Sequence, residues 1–369
     1  MQRKTVDRRT FLQYGGAAAV TVALAGCPEE EPDEETPTPD DTETPEDDDE
    51  DEDLFEVTVT QGQLTDTLDP VGENATPVYN IIDQGYEPFM YRDEEGRVVE
   101  RIITDWDREG DQTIRLTVRD GVSFHSGSEL TADDVAFSIN RANDPDVSDV
   151  AGPIGAIVEA TVDDGDVILE LDQVEPAIFR NLAAFGRVVE QAWVEERNGD
   201  IDTEMNGTGP FELVEFVDDT HVIYEKFDDY WGPEPDVDGG EFNAVPEEGP
   251  RVDRLLAGDS DLIVNVRPDD IGEIQAADNV SSEFIPSTRT IFLVHNDQIE
   301  PFDSLEFRQA MNYAVDVQAI IDSLLNEFGV PTSQPTLEGH TGYNPDLDPY
   351  PYDPDEAESL IDESGYAGL

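Results

Sequence analysis

Residues 113–142, TIRLTVRDGVSFHSGSELTADDVAFSINRA, constrain the fold more than any other stretch of this chain. Ile114, Leu116 and Val118 alternate with polar residues, which predicts a half-buried strand. Asp120-Gly121 turns the chain, and Phe124-His125-Ser126-Gly127 makes a compact loop. Thr131 then sits where a helix N-cap belongs, with Asp134 at capping-box spacing and Asp133 favourable at the positive helix end. Strand, loop and capped helix follow from these residues alone.

Further strings recur along the chain. They are Leu68-Asp69-Pro70, Tyr86-Glu87-Pro88-Phe89, Gly207-Thr208-Gly209-Pro210-Phe211 and Asp229-Tyr230-Trp231-Gly232. Phe307-Arg308-Gln309-Ala310 with Tyr313-Ala314-Val315-Asp316 comes next, then Tyr352-Asp353-Pro354-Asp355 with Ser364-Gly365-Tyr366. Together with the 113–142 unit they resemble, in order, the blocks of the family 5 extracellular solute-binding proteins of ABC importers, which bind oligopeptides, dipeptides and nickel complexes. Ser126 stands where that family usually has Asp. The resemblance covers most of residues 55–369 and implies an α/β, two-lobe periplasmic-binding-protein-like fold of class II with an inserted subdomain.

The N-terminus reads as an export address. Asp7-Arg8-Arg9-Thr10-Phe11-Leu12 has twin-arginine (Tat) form, and Gly15–Gly26 is an Ala-rich apolar run too short to span a bilayer stably. Leu24-Ala25-Gly26-Cys27 matches a lipobox, so Cys27, the one cysteine of the chain, is expected to carry the lipid. With a single thiol the chain cannot form an internal disulfide. Residues 28–54 hold 17 acidic residues, five prolines, four threonines and one leucine, the composition of a self-repelling, disordered tether.

The net charge is −69, from 89 acidic and 20 basic residues. Residues 1–27 contribute +3 and residues 28–54 contribute −17, which leaves −55 on residues 55–369. Lys4 and Lys226 are the only lysines. Acidity spread along the chain, with lysine nearly absent, is the pattern of proteins adapted to high salt, where the Debye length falls to about 3 Å near 1 M. The pattern excludes nucleic acid, whose phosphates need clustered Lys and Arg.

A coarse reading of the elements starts with a strand at Phe55–Gln61 and a helix bearing Val78, Ile81, Ile82, Phe89 and Met90. Hairpins are predicted at 157–171, around Asp163-Asp164-Gly165-Asp166, and at 211–227. Pro250–Ala257 and Asp269–Ala277 read as helices, Leu262–Val266 as an apolar strand and Ile291–Val294 as a short buried strand. Helices are predicted at 304–315, 317–327 and 355–364. The resemblance assigns residues 55–290 to lobe one, with the insertion at about 90–200, and 291–369 to the start of a second lobe left incomplete.

No catalytic constellation can be assembled. G-x-S-x-G and G-K-[ST] are absent, so the ATPase of an importer is another chain, and the four histidines form no H-x-x-H or H-E-x-x-H pair that would bind a metal. No cofactor is expected. His125 is expected to hold the shape of its loop, Gly207 and Gly209 to allow tight turning where a subdomain rejoins its lobe, and Trp231 to pack in the core. Loops expected to face a cleft offer Thr65, Leu68 and Asp69, then Asn265 and Arg267, then Thr288, Arg289 and Thr290, as candidate ligand contacts. The resemblance implies a lipid-anchored monomer on the outer face of the membrane. It would capture a short peptide, or a nickel chelate, sugar or other solute, for a separate permease and ATPase. The alternative from another class is a surface lipoprotein without transport. An exported chain makes its three sequons, at Asn74, Asn206 and Asn279, relevant; Asn206 abuts the G-T-G-P turn and is expected to be inaccessible, which leaves Asn74 and Asn279 as the expected acceptors.

Overall fold

β1 (Glu56–Gln61) organises the first part of the molecule, as its alternating sequence requires. The computed structural model describes residues 55–93, 96–283, 289–338 and 342–367, so Cys27, the tether and Thr288 lie outside the described residues. The chain divides into two compact units, one ending at Val264 and one beginning at Asn265.

In the first unit, α1 (Thr76–Ile82), β2 (Met90–Arg92) and β3 (Val98–Glu100) lead into β4 (Ile103–Arg108) and β5 (Thr113–Val118). α2 (Ala132–Ala142), α3 (Ala151–Ile154), β6 (Ile157–Asp163), β7 (Asp166–Leu171), α4 (Ile178–Phe185) and α5 (Gln191–Glu196) follow. β8 (Phe211–Val217), β9 (His221–Lys226), β10 (Gly239–Ala244), α6 (Glu248–Ala257) and β11 (Leu262–Ile263) complete the unit. One sheet has the order β11-β1-β10-β9-β8, with β1 parallel to both β10 and β11; a second has the order β4-β5-β7-β6 and is antiparallel throughout, and β2 and β3 form a two-stranded antiparallel pair of their own.

The strand–loop–helix forms as its residues dictate. Ile114 and Leu116 are fully buried, the Thr131 hydroxyl accepts from the Asp134 amide, and the Asp134 carboxylate accepts from the Thr131 amide. Val135 and Ile139 of α2 then bury against Val167, Leu169 and Phe124. The 157–171 hairpin turns through Asp164 and Gly165, both at positive φ (54° and 90°), the geometry of a tight two-residue hairpin loop.

Three expectations need correction. The first helix stops at Ile82, while Phe89 and Met90 lie in the core of the antiparallel sheet, Met90 as the first residue of β2. Gly85 and Pro88 follow close behind the helix end, and neither favours continuing a helix: glycine gives up the most backbone freedom, and proline lacks the amide and biases Glu87 toward extended backbone. The strand expected at Leu262–Val266 is only Leu262–Ile263, since Asn265 at φ +59° carries the backbone out of the ladder. Ile291–Val294 form no strand and expose 61–88% of their surface; among the described residues no strand pairs with them.

In the second unit α7 (Ile271–Ala276) follows a 3-10 turn at Pro268–Asp270, and α8 (Leu305–Tyr313), α9 (Val317–Leu324) and α10 (Pro354–Ser364) are each capped by a side chain. Ser304, Asp316 and Asp353 accept from the amides of Phe307, Ala319 and Glu356. Phe307 packs edge-on against Tyr366, joining α8 to the end of α10, whereas Leu324 remains 68% exposed.

Candidate functional site

The parallel strands β1, β10 and β11 end on one edge of their sheet, the edge where ligands collect in open α/β sheets. Rigid loops are built there. Gln61 donates to the Pro77 carbonyl at 3.0 Å and accepts from Asn80 at 3.2 Å, which ties the end of β1 to α1. Buried Arg251 donates through Nη1 to the carbonyls of Val245 (2.8 Å) and Pro246 (2.9 Å), holding the loop after β10. A Cβ at Gly62, the first residue after β1, would stand 3.3 Å from the same Nη1, so the backbone exits close beneath the guanidinium.

The loop that follows contains Thr65, Leu68 and Asp69, and all three turn inward. Thr65 donates to the Thr67 carbonyl at 2.5 Å and accepts from the Thr67 amide. Leu68 is fully buried beside Leu64, Ile81, Val222 and Tyr224. Asp69 receives both terminal nitrogens of Arg141 from α2, one at 2.6 Å, and also accepts from the Val71 amide at 3.1 Å. Thr67 donates to Asp202, and the Leu68 amide to the Asp202 carbonyl. Side chains expected to face a ligand are thus committed to the loop's own shape, since a carboxylate and a guanidinium taken out of water need each other.

Of the other candidates, Asn265, Arg267 and Arg289 belong to the second unit. Arg267 donates to both carboxylate oxygens of Asp270 at 2.8 and 2.9 Å, Arg289 is exposed, and Thr290 donates to the Pro335 carbonyl at 3.2 Å. Thr288 is outside the described residues.

His125, Gly207, Gly209 and Trp231 do come together. The Gly207 amide donates to His125 Nδ1 (3.3 Å) and His125 Nε2 lies 3.1 Å from the Gly209 carbonyl, so a neutral ring protonated on Nε2 satisfies both contacts. The His125 amide also donates to the Gly207 carbonyl at 2.9 Å, and the Phe227 ring meets the imidazole edge-on at 4.9 Å. A Cβ on Gly207 would fall 2.0 Å from the Gly85 carbonyl oxygen, so only glycine permits this approach. Trp231 donates to the Thr208 carbonyl at 3.1 Å while Arg101 and Arg119 lie 4.8 and 4.9 Å from its ring centroid.

Burial lowers the His125 pKa below its ordinary value, an effect the hydrogen bond to Gly209 only partly offsets. The unfolded chain therefore takes up a proton first as pH falls below about 6.5, and stability drops from there down to the folded pKa. Denaturation curves in molar salt between pH 7 and 5 are expected to fall more steeply for the wild type than for His125→Gln. Parallel curves would show that this ring does not couple to folding.

A second group went unread in the sequence because each member stands in a different string. Glu87 of Tyr86-Glu87-Pro88 accepts from Arg101 at 2.6 and 2.5 Å and from the Tyr230 hydroxyl of Asp229-Tyr230-Trp231 at 2.7 Å. Burial and the Glu87 carboxylate push the Tyr230 hydroxyl pKa up. Beside it Arg187 grips Asp83 at 2.7 and 2.9 Å and lies 4.5 Å from the Tyr79 ring centroid. Both clamps line a cleft of about 890 Å³. The one nearby signal was Arg101, a scarce cation 14 positions after Glu87; Tyr230 lies 143 positions from Glu87 and Arg187 lies 104 positions from Asp83, too far for the linear pattern to pair them.

Residues 97–369 match the family described as bacterial extracellular solute-binding proteins, family 5 Middle. The chain belongs to this family. It is 28% identical over 295 residues to the dipeptide-binding protein of Escherichia coli, covering 73% of this chain and 55% of that one. It is 28% identical over 274 residues to heme-binding protein A of Haemophilus influenzae, covering 68% and 50%. Among solved structures, the Helicobacter pylori periplasmic binding protein DppA in complex with peptide STSA superposes with a TM-score of 0.73 at 22% identity, covering 85% of this chain and 67% of that one. Staphylococcus aureus NikA in complex with Ni(L-His)2 superposes at 0.72 and 20% identity, covering 85% and 65%. These likenesses establish the periplasmic-binding-protein fold. The chain spans about half the length of the curated relatives it matches.

Proposed function

We propose that this family 5 member is the solute-capturing receptor of an ABC importer, taking short peptides and delivering them to a separate permease and ATPase. The observation that carries the reading is the family match over residues 97–369. The rigid loops at the carboxyl edge of β1 and β10 support it: a preorganised surface loses little ordering entropy when an extended peptide is laid against it. Main-chain hydrogen bonds supply affinity without selecting every side chain. A ligand that binds a closed form better than an open one shifts the population toward closure.

Thermal unfolding of the full-length protein in molar salt tests this. Di- to tetrapeptides should raise the Tm reversibly, by an amount equivalent to about 2.7 kcal/mol at a hundredfold excess over Kd. If nickel–histidine stabilises the protein and peptides do not, the peptide assignment is wrong; if neither does, the receptor reading is wrong.

The same reading places the protein outside the cell as a Tat-exported monomer. Residues 1–27 act as its signal, Cys27 as its lipid anchor and residues 28–54 as its leash. Cys27→Ser is expected to move the protein from the membrane fraction to the medium while export continues. Retention on membranes after a high-salt wash would show that Cys27 is not the anchor.

A further inference from the structure

The three sequons of the chain differ sharply as sites. Asn206 is 3% exposed; its Nδ2 donates to Glu190 at 2.6 Å and its Oδ1 accepts from the Ser126 amide at 2.9 Å. Its amide nitrogen is held in the network that closes the His125 loop on the G-T-G-P turn, and Gly207 beside it has no room to move off Gly85. Asn74 is exposed, but its sequon threonine, Thr76, is the first residue of α1. Asn279 is exposed in the turn after α7, and Asn279, Val280 and Ser281 all lie outside helix and strand.

We propose that Asn279 is an N-linked glycan acceptor and that Asn206 is not. A transferase must draw the three residues of a sequon into its own site. A segment free of helix and ladder hydrogen bonds yields to that at low cost, whereas Asn206 would first have to break its two bonds and unseat the turn. In the transfer, Asn279 Nδ2 attacks C1 of a glycan carried on a lipid phosphate. The N–C1 bond forms, the C1–O bond to phosphate breaks, the lipid phosphate leaves with the electron pair, and the amide gives up one proton. The proposal rests on the exported receptor reading, because the sequon is read on the outer side of the membrane.

Glycopeptide mapping of full-length protein from its native cells tests it. Trypsin separates Asn279, in the peptide Leu255–Arg289, from Asn206, in Asn198–Lys226. The expected result is a glycan mass on the first peptide, lost completely in Ser281→Ala, and a bare second peptide. A bare Leu255–Arg289 on protein recovered outside the cell overturns the acceptor assignment alone, as does a glycan on Asn206. Protein retained in the cytosol with residues 1–26 still attached overturns the export reading and the glycan with it.

Discussion

Dialysis from molar salt to about 20 mM is expected to unfold this protein cooperatively, because screening lengthens from about 3 Å to between 10 and 30 Å. Residues 55–369 carry −55, and at that range carboxylates repel across whole faces rather than between immediate neighbours. The cations present are already shared among several acids: Arg115 alone meets Glu109, Asp163 and Asp166 at 2.6, 3.1 and 3.4 Å. Exposed pairs of this kind are each worth at most about 1 kcal/mol, so they cannot offset the excess. Circular dichroism followed through the dialysis measures the outcome, and restoring the salt should restore the signal. A spectrum unchanged at low salt would sink the argument that the acidity is an adaptation to salt.

Arg141→Ala is expected to cost roughly 3–5 kcal/mol, because it leaves the Asp69 carboxylate buried without its partner. The two side chains keep only 7% and 9% of their surface, and the pair ties the loop after β1 to α2. A loss of that size is a large part of the roughly 5–15 kcal/mol that holds a typical domain folded. The double variant Asp69→Leu/Arg141→Met removes both charges at similar volume and should lose much less. Urea denaturation in molar salt separates the cases. A single variant within about 1 kcal/mol of the wild type would mean that Asp69 finds solvent or another donor, and would return it to the pool of ligand contacts.

That pair marks the limit of what the linear pattern discloses. Asp69 stands in a string that reads well as a loop facing a cleft, and nothing near it in sequence points to an arginine 72 positions away. The same holds for Glu87, Arg101 and Tyr230, which meet across 143 positions. Helix caps behave in the opposite way. Thr131, Ser304, Asp316 and Asp353 each satisfy an amide within three residues, so their role is visible without any tertiary information. The 211–227 hairpin is legible for the same reason, since its alternation and turn are local.

Strand length and strand burial were not legible, because both depend on who pairs. Leu262–Val266 and Ile291–Val294 have nearly the same apolar, β-branched character, yet one supplies two paired residues and the other none among those described. Apolarity states what a segment would bury, but a ladder exists only where another strand offers its amides and carbonyls in register.

Local units, the net acidic charge and the family blocks of a solute-binding protein are thus legible in the linear chain. Each of these is written within a few residues or summed over all of them. Tertiary structure decided which side chains are spent inside: Leu68 and Asp69 on the loop after β1, His125 on the turn at Gly207 and Gly209, and Asn206 on Glu190. These outcomes are set by contacts between distant segments, where close packing and the cost of an unpaired buried polar group leave one arrangement.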